Sequence, residues 1–203
     1  MRSVYDGIWY LTALTPDSER CKQMYANGIL AFDIETTRVD DDNAVMYIWQ
    51  CGLWVENEYF ITYGRTWGEW TRLQDAINKH LGGIKIVCMV HNLSYEFQFL
   101  AGLYDMHDVF CLKARKILTA SSGCIEYRCS YIWTNKALNM FLRDMGVEHE
   151  KKSGFDYNKK RYPWTAMSED EIEYCQNDVI GLLEATVKKL EKGTFTDRCG
   201  AEP

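Results

Sequence analysis

Residues 84 to 90, IKIVCMV, form a nearly continuous apolar run. Such a run is typical of a β-strand that is buried on both faces of a sheet. The 203 residues suit one domain with a sizeable core. The run therefore favours a sheet that has helices packed on it.

The flanking segments alternate between strand and helix patterns. The first half of the chain predicts a short extended piece over 7–14, a short helix from Pro16 to Gly28, a strand over 29–35 and a hairpin over 45–63 with its turn near Glu56-Asn57. Helices are predicted over 70–81 and 91–103, on either side of the apolar run. The rest predicts a hairpin over 117–133 turning at Ser121-Ser122-Gly123, a helix over 135–146 and a helix that begins after Ser168. This order predicts an α/β fold, a mixed sheet with helices packed on it.

The strand ILAFDIETT, residues 29 to 37, ends in two acids. Asp33 and Glu35 are two positions apart, so on a strand they point to the same side. Two like charges on one face repel each other unless a cation lies between them. Taken alone, the pair is explained as well by simple solvation of the strand end.

Two other segments carry related residues, Asn92 to Glu96 and Tyr174 to Asp178. Singly, each has an ordinary structural explanation, such as a helix cap, a surface charge or a hydrogen bond within one helix face. Together, the segments supply four carboxylates at strand and helix ends, with a tyrosine one turn before the last. A nuclease that uses two divalent ions needs such a set, because carboxylate oxygens suit magnesium-type cations. The tyrosine hydroxyl can orient the attacking water.

The three segments DIETT, HNLSYEF and YCQND resemble the exonuclease motifs of family B DNA polymerases, in the tyrosine branch of the DEDD exonucleases. The resemblance implies a ribonuclease H-like mixed sheet flanked by helices, with an extra β-hairpin. It implies that two Mg²⁺ or Mn²⁺ ions are bound. The implied site residues are the metal-site carboxylates Asp33, Glu35, Glu96 and Asp178, the catalytic Tyr174, and Thr36, Asn92 and Tyr95 as contacts of a single-stranded DNA 3′ end. At the Glu96 position the family usually has aspartate.

A fourth segment, KKSGFDYNKKRYPW, resembles the lysine motif of the protein-primed subgroup, which is found in phages and linear plasmids. This resemblance implies a catalytic role for Lys152 and a supporting aromatic role for Tyr157. Ser130 falls near the serine-leucine motif of the subgroup and is expected to contact DNA, although Tyr131 stands where leucine is usual.

The resemblance divides the chain into an N-terminal appendage over 1–28, a 3′-5′ exonuclease domain over 29–192 and a C-terminal tail over 193–203. No polymerase palm motif follows the exonuclease motifs. The chain is therefore expected to be the proofreading part of a protein-primed polymerase, as a fragment, a split gene product or a separate exonuclease. Its expected partners are a single-stranded DNA 3′ end and a polymerase domain or terminal protein.

Two alternatives stay open. One is a module that binds single-stranded DNA or a replication partner, with weak or no activity because Glu96 replaces aspartate. The other is an RNA-directed DEDD nuclease, against which the lysine motif argues.

Composition limits the setting in which the chain acts. The net charge of −6 argues against nonspecific coating of nucleic acid, while a local basic groove is still allowed by the cations between Lys151 and Arg161. Eight cysteines without a CxxC pair suit a reducing compartment. No secretory signal is recognised, and the longest apolar run is too short to cross a bilayer. The expected location is the cytoplasm, that of a bacterial host if the gene belongs to a phage, with no membrane partner.

Overall fold

The computed structural model describes residues 2–15, 22–150 and 155–191. Within these ranges, seven strands form one sheet in the order β3-β2-β1-β4-β7-β6-β5. The strands are β1 Tyr25–Arg38, β2 Ala44–Val55, β3 Glu58–Gly64, β4 Lys85–Val90, β5 His107–Lys113, β6 Lys116–Ser122 and β7 Ile125–Cys129. The helices are α1 Val4–Gly7, α2 Trp67–Leu81, α3 Leu93–Leu100, α4 Tyr131–Thr134, α5 Leu138–Met145 and α6 Glu169–Glu191, with a 3₁₀ turn over Ile8–Tyr10.

The sheet is mixed. Strands β1, β4 and β7 are parallel to one another, whereas β2 and β3 pair antiparallel on one side and β6 and β5 pair antiparallel on the other. The predicted α/β fold, a mixed sheet flanked by helices, is therefore confirmed, and the arrangement fits the ribonuclease H-like sheet that the resemblance implied.

Helices cover both faces of the sheet and bury two large apolar clusters, with a third, small one around Tyr174. On one face, α2 and α3 enclose the larger cluster, in which the rings of Phe32 and Trp70 have centroids 4.4 Å apart. On the other face, α5 and α6 pack Phe141 and Leu183 against the sheet. Strand β4 contributes Cys88 to the first cluster and Met89 to the second, which confirms that it is buried on both faces.

The parallel pairing of β1 and β4 creates the place where a site can form. Their carboxyl ends lie at the same edge of the sheet, so Asp33 and Glu35 near the end of β1 lie close to Asn92 just after β4. Helix α6 packs against β1 and β2 and carries Asp178 toward the same edge. Segments far apart in sequence are thereby brought together.

Some local predictions are wrong. The described end of the predicted Pro16–Gly28 helix is extended, because Tyr25–Gly28 already belong to β1; residues 16–21 lie outside the described ranges. The second hairpin turns at Gly123 and Cys124, and its predicted second strand stops at Cys129, after which α4 begins. Gly123 has a φ of 56°, a left-handed conformation that glycine adopts without strain.

Two expectations from composition can be compared with the structure. All six cysteines in the described ranges are free thiols. Of the helices built from those ranges, none combines the length and the apolar character needed to cross a membrane.

Candidate active site

Three carboxylates lie together beside the carboxyl-terminal half of β1. Asp33 and Glu35 are half-buried on this strand, and Asp178 is buried on α6. One carboxylate oxygen of each residue lies within 4.8 Å of the others. Such a group of hard oxygen donors can hold a divalent cation. The structure thus brings together three of the four residues that were predicted to form the metal site.

Gln50 orients Asp33 from the neighbouring strand. The two residues are paired across β1 and β2, and Gln50 Nε2 donates a hydrogen bond to Asp33 Oδ2 at 2.6 Å. Gln50 is fully buried, so water cannot replace this bond. Gln50 was not among the residues predicted from the sequence. Its signal was a lone amide within the apolar run VMYIWQCGLWV, where a buried polar side chain needs a partner.

Changing Gln50 to leucine is expected to weaken Mn²⁺ binding by about 10–100-fold, because residues that orient metal ligands typically contribute this much. Titration calorimetry with Mn²⁺ measures the change. Gln74→Leu is the matched control, since Gln74 is also buried but donates to Ser122, away from the carboxylates. Equal Mn²⁺ affinity in the two variants would contradict a positioning role for Gln50.

Glu96 faces the carboxylates from α3. Its side chain is buried, and its Oε2 atom makes no hydrogen bond. Burial and, next, the negative charge of Asp33 raise the pKa of Glu96 well above its usual value. Glu96 does not belong to the group whose oxygens lie within 4.8 Å of one another, so its role as a metal ligand stays a prediction.

The donor set fits a divalent cation on two observations. The first is the buried Glu96 Oε2 atom without a partner, which a cation would satisfy. The second is the thiol of Cys175, whose pKa is raised by burial and then by the charges of Glu35, Asp33 and Asp178. The negative potential of the cluster therefore reaches its neighbours and favours the binding of a positive ion.

Tyr174 lies one helical turn before Asp178 and joins the site to the loop that precedes α6. Its ring is nearly buried and stacks on Phe155 with centroids 4.4 Å apart. Its hydroxyl lies 2.5 Å from the hydroxyl of Tyr157. The two tyrosines belong to separate sequence motifs, and the structure brings them into contact. Their catalytic roles stay predictions.

A groove of about 690 Å³ opens beside the carboxylates at the end of β1. Three of the predicted DNA contacts line it, namely Thr36, Tyr95 and Tyr157, and the hydroxyls of Thr36 and Tyr95 are hydrogen-bonded to each other. Lys159 and Lys160 line the same groove. These lysines and aromatic rings suit a strand of nucleic acid, because phosphates bind lysine and unpaired bases stack on aromatic rings. Three acids, Asp40, Asp41 and Asp42, line the groove as well.

The remaining predicted site residues differ in position. Asn92 is exposed, directly precedes α3 with a φ of 72° and makes no capping bond with its side chain. Ser130 is fully buried, with its hydroxyl 3.0 Å from His91 Nδ1, so this placement does not support a direct contact with DNA. Lys152 lies outside the described residues. For all three residues the predicted role stays a prediction.

Arg161 is a buried residue whose hydrogen bonds link neighbouring segments. Its predicted place on the basic surface is therefore wrong. Its side chain is only 2% exposed. Its Nη2 atom donates to Glu171 at 2.6 Å, its Nη1 atom to the carbonyl of Asp156 at 2.7 Å, and its backbone N–H to Thr37 Oγ1 at 2.9 Å. The guanidinium also lies 4.3 Å from the ring centre of Phe155. Arg161 therefore ties residues 155–161, the groove loop, to both β1 and α6.

The variant Glu171→Gln tests the interaction between Glu171 and Arg161 through the pH dependence of folding stability. Hydrogen bonds from Lys159 and then Arg161 lower the pKa of Glu171 to about 2, below its ordinary 4.5. Because the folded pKa is depressed, the carboxylate stabilises the fold above pH 4.5 and loses this effect as the pH falls toward 2. At neutral pH we expect the variant to be less stable by about 2 kcal/mol, as is typical of charged hydrogen bonds.

Urea unfolding at several pH values measures this difference, which is expected to shrink as the pH falls. Glu169→Gln is the control, since Glu169 is an exposed acid in the first turn of the same helix. A stability loss that is independent of pH would contradict the ionic role of Glu171.

The sequence matches no protein-family model and no curated protein. Solved structures do resemble its fold. "Phi29 DNA polymerase complexed with single-stranded DNA" matches with a TM-score of 0.67 and 15% identity, over 86% of this chain and 33% of that one. Phi29 DNA polymerase with primer-template DNA and incoming nucleotides matches with a TM-score of 0.68 and 14% identity, over 85% and 32%. The chain thus spans about a third of the length of these polymerases, and the likeness shows a shared fold.

Proposed function

We propose that this chain is a 3′-to-5′ exonuclease that shortens single-stranded DNA ends, in the tyrosine branch of the DEDD enzymes. The observation that carries the proposal is the cluster of Asp33, Glu35 and Asp178 beside a groove lined by lysines and tyrosines. A shared fold with part of a DNA polymerase supports it.

In this proposal, Asp33, Glu35 and Asp178 hold two Mg²⁺ or Mn²⁺ ions, and Glu96 completes the set. Such ions supply the charge that favours ionised water and stabilises a leaving 3′ oxygen. The Tyr174 hydroxyl, held by Tyr157, donates a hydrogen bond that orients the attacking water. Gln50 keeps Asp33 in one orientation. Lys152 is proposed to assist catalysis, as the resemblance implies.

The DNA end is proposed to lie in the groove. Thr36, Asn92 and Tyr95 contact the last nucleotides, while Lys159 and Lys160 neutralise phosphates farther from the end. Tyr157 has 63% of its side chain exposed, so its ring is accessible to a base even though its hydroxyl contacts Tyr174.

We also propose a place for the chain within a larger machine. The polymerases that it resembles are about three times as long as the segment that it matches. A proofreading role for a protein-primed family B polymerase follows if a polymerase domain, on this chain or another, delivers the DNA end. A terminal protein is the second proposed partner.

The test is incubation of 5′-labelled single-stranded DNA with the chain in Mg²⁺ or Mn²⁺. The proposal expects a ladder of shortened products that disappears with EDTA. Labelled RNA of the same sequence is the comparison, since preferential shortening of RNA would favour an RNA-directed nuclease. Intact DNA in both metals would overturn the exonuclease proposal.

A second candidate is a weakly active or inactive module that binds single-stranded DNA or a replication partner. One observation favours it, namely that Glu96 lies outside the group of three clustered carboxylates. DNA binding without shortening, in the same assay, distinguishes this candidate from the first.

A further inference from the structure

Trp164 exposes more of its side chain than the other large hydrophobic residues in the described ranges, at 80%. It follows the groove loop closely, four residues after Lys160. Surface aromatic groups of this size commonly mark a binding site, because their exposure to water is unfavourable. Trp9 is exposed to a similar degree, 77%, but it lies on the N-terminal 3₁₀ turn against His80.

The indole of Trp164 forms a stack with Tyr162. The two ring planes are nearly parallel, at 6°, and their centroids are 5.2 Å apart. Because the indole is largely exposed, Tyr162 supports one face and the opposite face is open to solvent. An incoming flat ring can therefore extend the stack by one layer.

The turn that carries this pair is firmly held. Arg65 Nη2 donates to the carbonyl oxygens of Tyr162 and Thr165 at 2.9 and 2.8 Å. Thr165 Oγ1 accepts a hydrogen bond from the backbone N–H of Tyr162 at 2.9 Å, and the Thr165 N–H donates back to the Tyr162 carbonyl. A ring that is positioned in advance loses little conformational entropy when it binds a ligand.

The position of the pair, a few residues along the chain from the groove, favours single-stranded nucleic acid as its ligand. Lys160 lines the groove, and the chain from Lys160 to Trp164 spans at most about 14 Å. Arg161 links this segment to Thr37, another residue of the groove. A strand that leaves the groove past Lys159 and Lys160 is within reach of the open indole, and unpaired bases of any sequence stack on such a ring.

We propose that the Tyr162–Trp164 pair is a stacking platform for an unpaired base on the 5′ side of the nucleotides held in the groove. This platform rests on the proposed function, because it extends the path of the same strand. It holds the strand away from the carboxylates, so it affects DNA affinity and takes no part in the cleavage step.

A double-mutant cycle, which combines substitution of Trp164 with removal of one DNA base, tests the platform. Fluorescence anisotropy measures the binding of labelled oligodeoxythymidines, each with one abasic site at a different distance from the 3′ end. The chain carries Asp33→Asn throughout, so that the DNA stays intact. With Trp164 present, one abasic position is expected to lower affinity by about tenfold. With Trp164→Ala that position is expected to have no effect, and Trp164→Phe is expected to restore part of it.

The controls separate the outcomes. Trp9→Ala removes an equally exposed indole and is expected to keep the full position effect. An unchanged effect of the abasic site in Trp164→Ala would overturn the platform. So would a change in the self-association of this variant, measured by sedimentation, while its DNA binding is unaltered, because that result would indicate a protein contact. Cleavage by the unmutated chain together with no ring–base coupling would refute the platform alone, whereas intact DNA in both metals with the unmutated chain would refute the proposed function as well.

Discussion

Changing Asp33 to asparagine is expected to lower the rate of single-stranded DNA shortening by about a thousandfold. The variant keeps the shape of the side chain and its ability to accept the bond from Gln50, but it removes one of three clustered charges. Metal ions contribute several kcal/mol to such reactions, and each 1.4 kcal/mol or so corresponds to a tenfold change in rate. Gel analysis of 5′-labelled DNA in Mg²⁺ and in Mn²⁺ measures the loss.

Two further variants make this result specific. Asp178→Asn removes the charge that α6 contributes and is expected to cause a loss of similar size. Asp105→Asn removes the same charge from an exposed position outside the cluster and is expected to leave the rate unchanged. Retention of the full rate by Asp33→Asn would refute the assignment of this cluster as the catalytic centre.

Changing Glu96 to glutamine is expected to have opposite effects on activity and on metal-free stability. Activity is expected to fall by about a hundredfold, as for other losses of groups that support a metal. Stability without metal is expected to rise at neutral pH. Burial and the charge of Asp33 raise the folded pKa of Glu96 above its ordinary 4.5, so the native state of the unmodified chain loses stability as the pH rises above 4.5. Glutamine resembles the protonated carboxyl and avoids this loss.

Thermal unfolding in EDTA at several pH values, together with the DNA assay in Mg²⁺, measures both effects. The stability difference between the two proteins is expected to be small at acidic pH and to grow as the pH rises. Glu96→Asp retains a carboxylate and is expected to keep metal-dependent shortening, and a faster rate than that of the unmodified chain would show that glutamate is a compromise. A lower metal-free stability of Glu96→Gln at neutral pH would contradict the assignment of Glu96 as a destabilising buried acid.

The elements that could be predicted from the sequence are those with a strong burial pattern. Strand β4 and helix α2 are examples, since an unbroken apolar run and an apolar stripe at Trp70, Leu73 and Ile77 each specify one structure. Strand β5 was missed because it is exposed along its whole length and pairs irregularly with β6. An edge strand without a buried face has no hydrophobic pattern to read.

The same distinction applies to the candidate site. Asp33 with Glu35, and Tyr174 with Asp178, could be predicted as pairs because strand alternation and the helical turn act over a few residues. Gln50 could not, since its contact with Asp33 depends on the register of β1 against β2. The contact between Tyr157 and Tyr174 depends on how the groove loop packs against α6.

By itself, the sequence determined the strands and helices with strong periodicity and the chemical character of the site, because both are local properties of the chain. Only the tertiary structure decided which acids cluster, that Glu96 is buried next to them and that Arg161 is a buried residue that links neighbouring segments. These outcomes depend on the packing of distant segments, and the burial of a charge depends on everything packed around it. For this reason Arg161, a surface cation by sequence, is one of the largest side chains buried in the described structure.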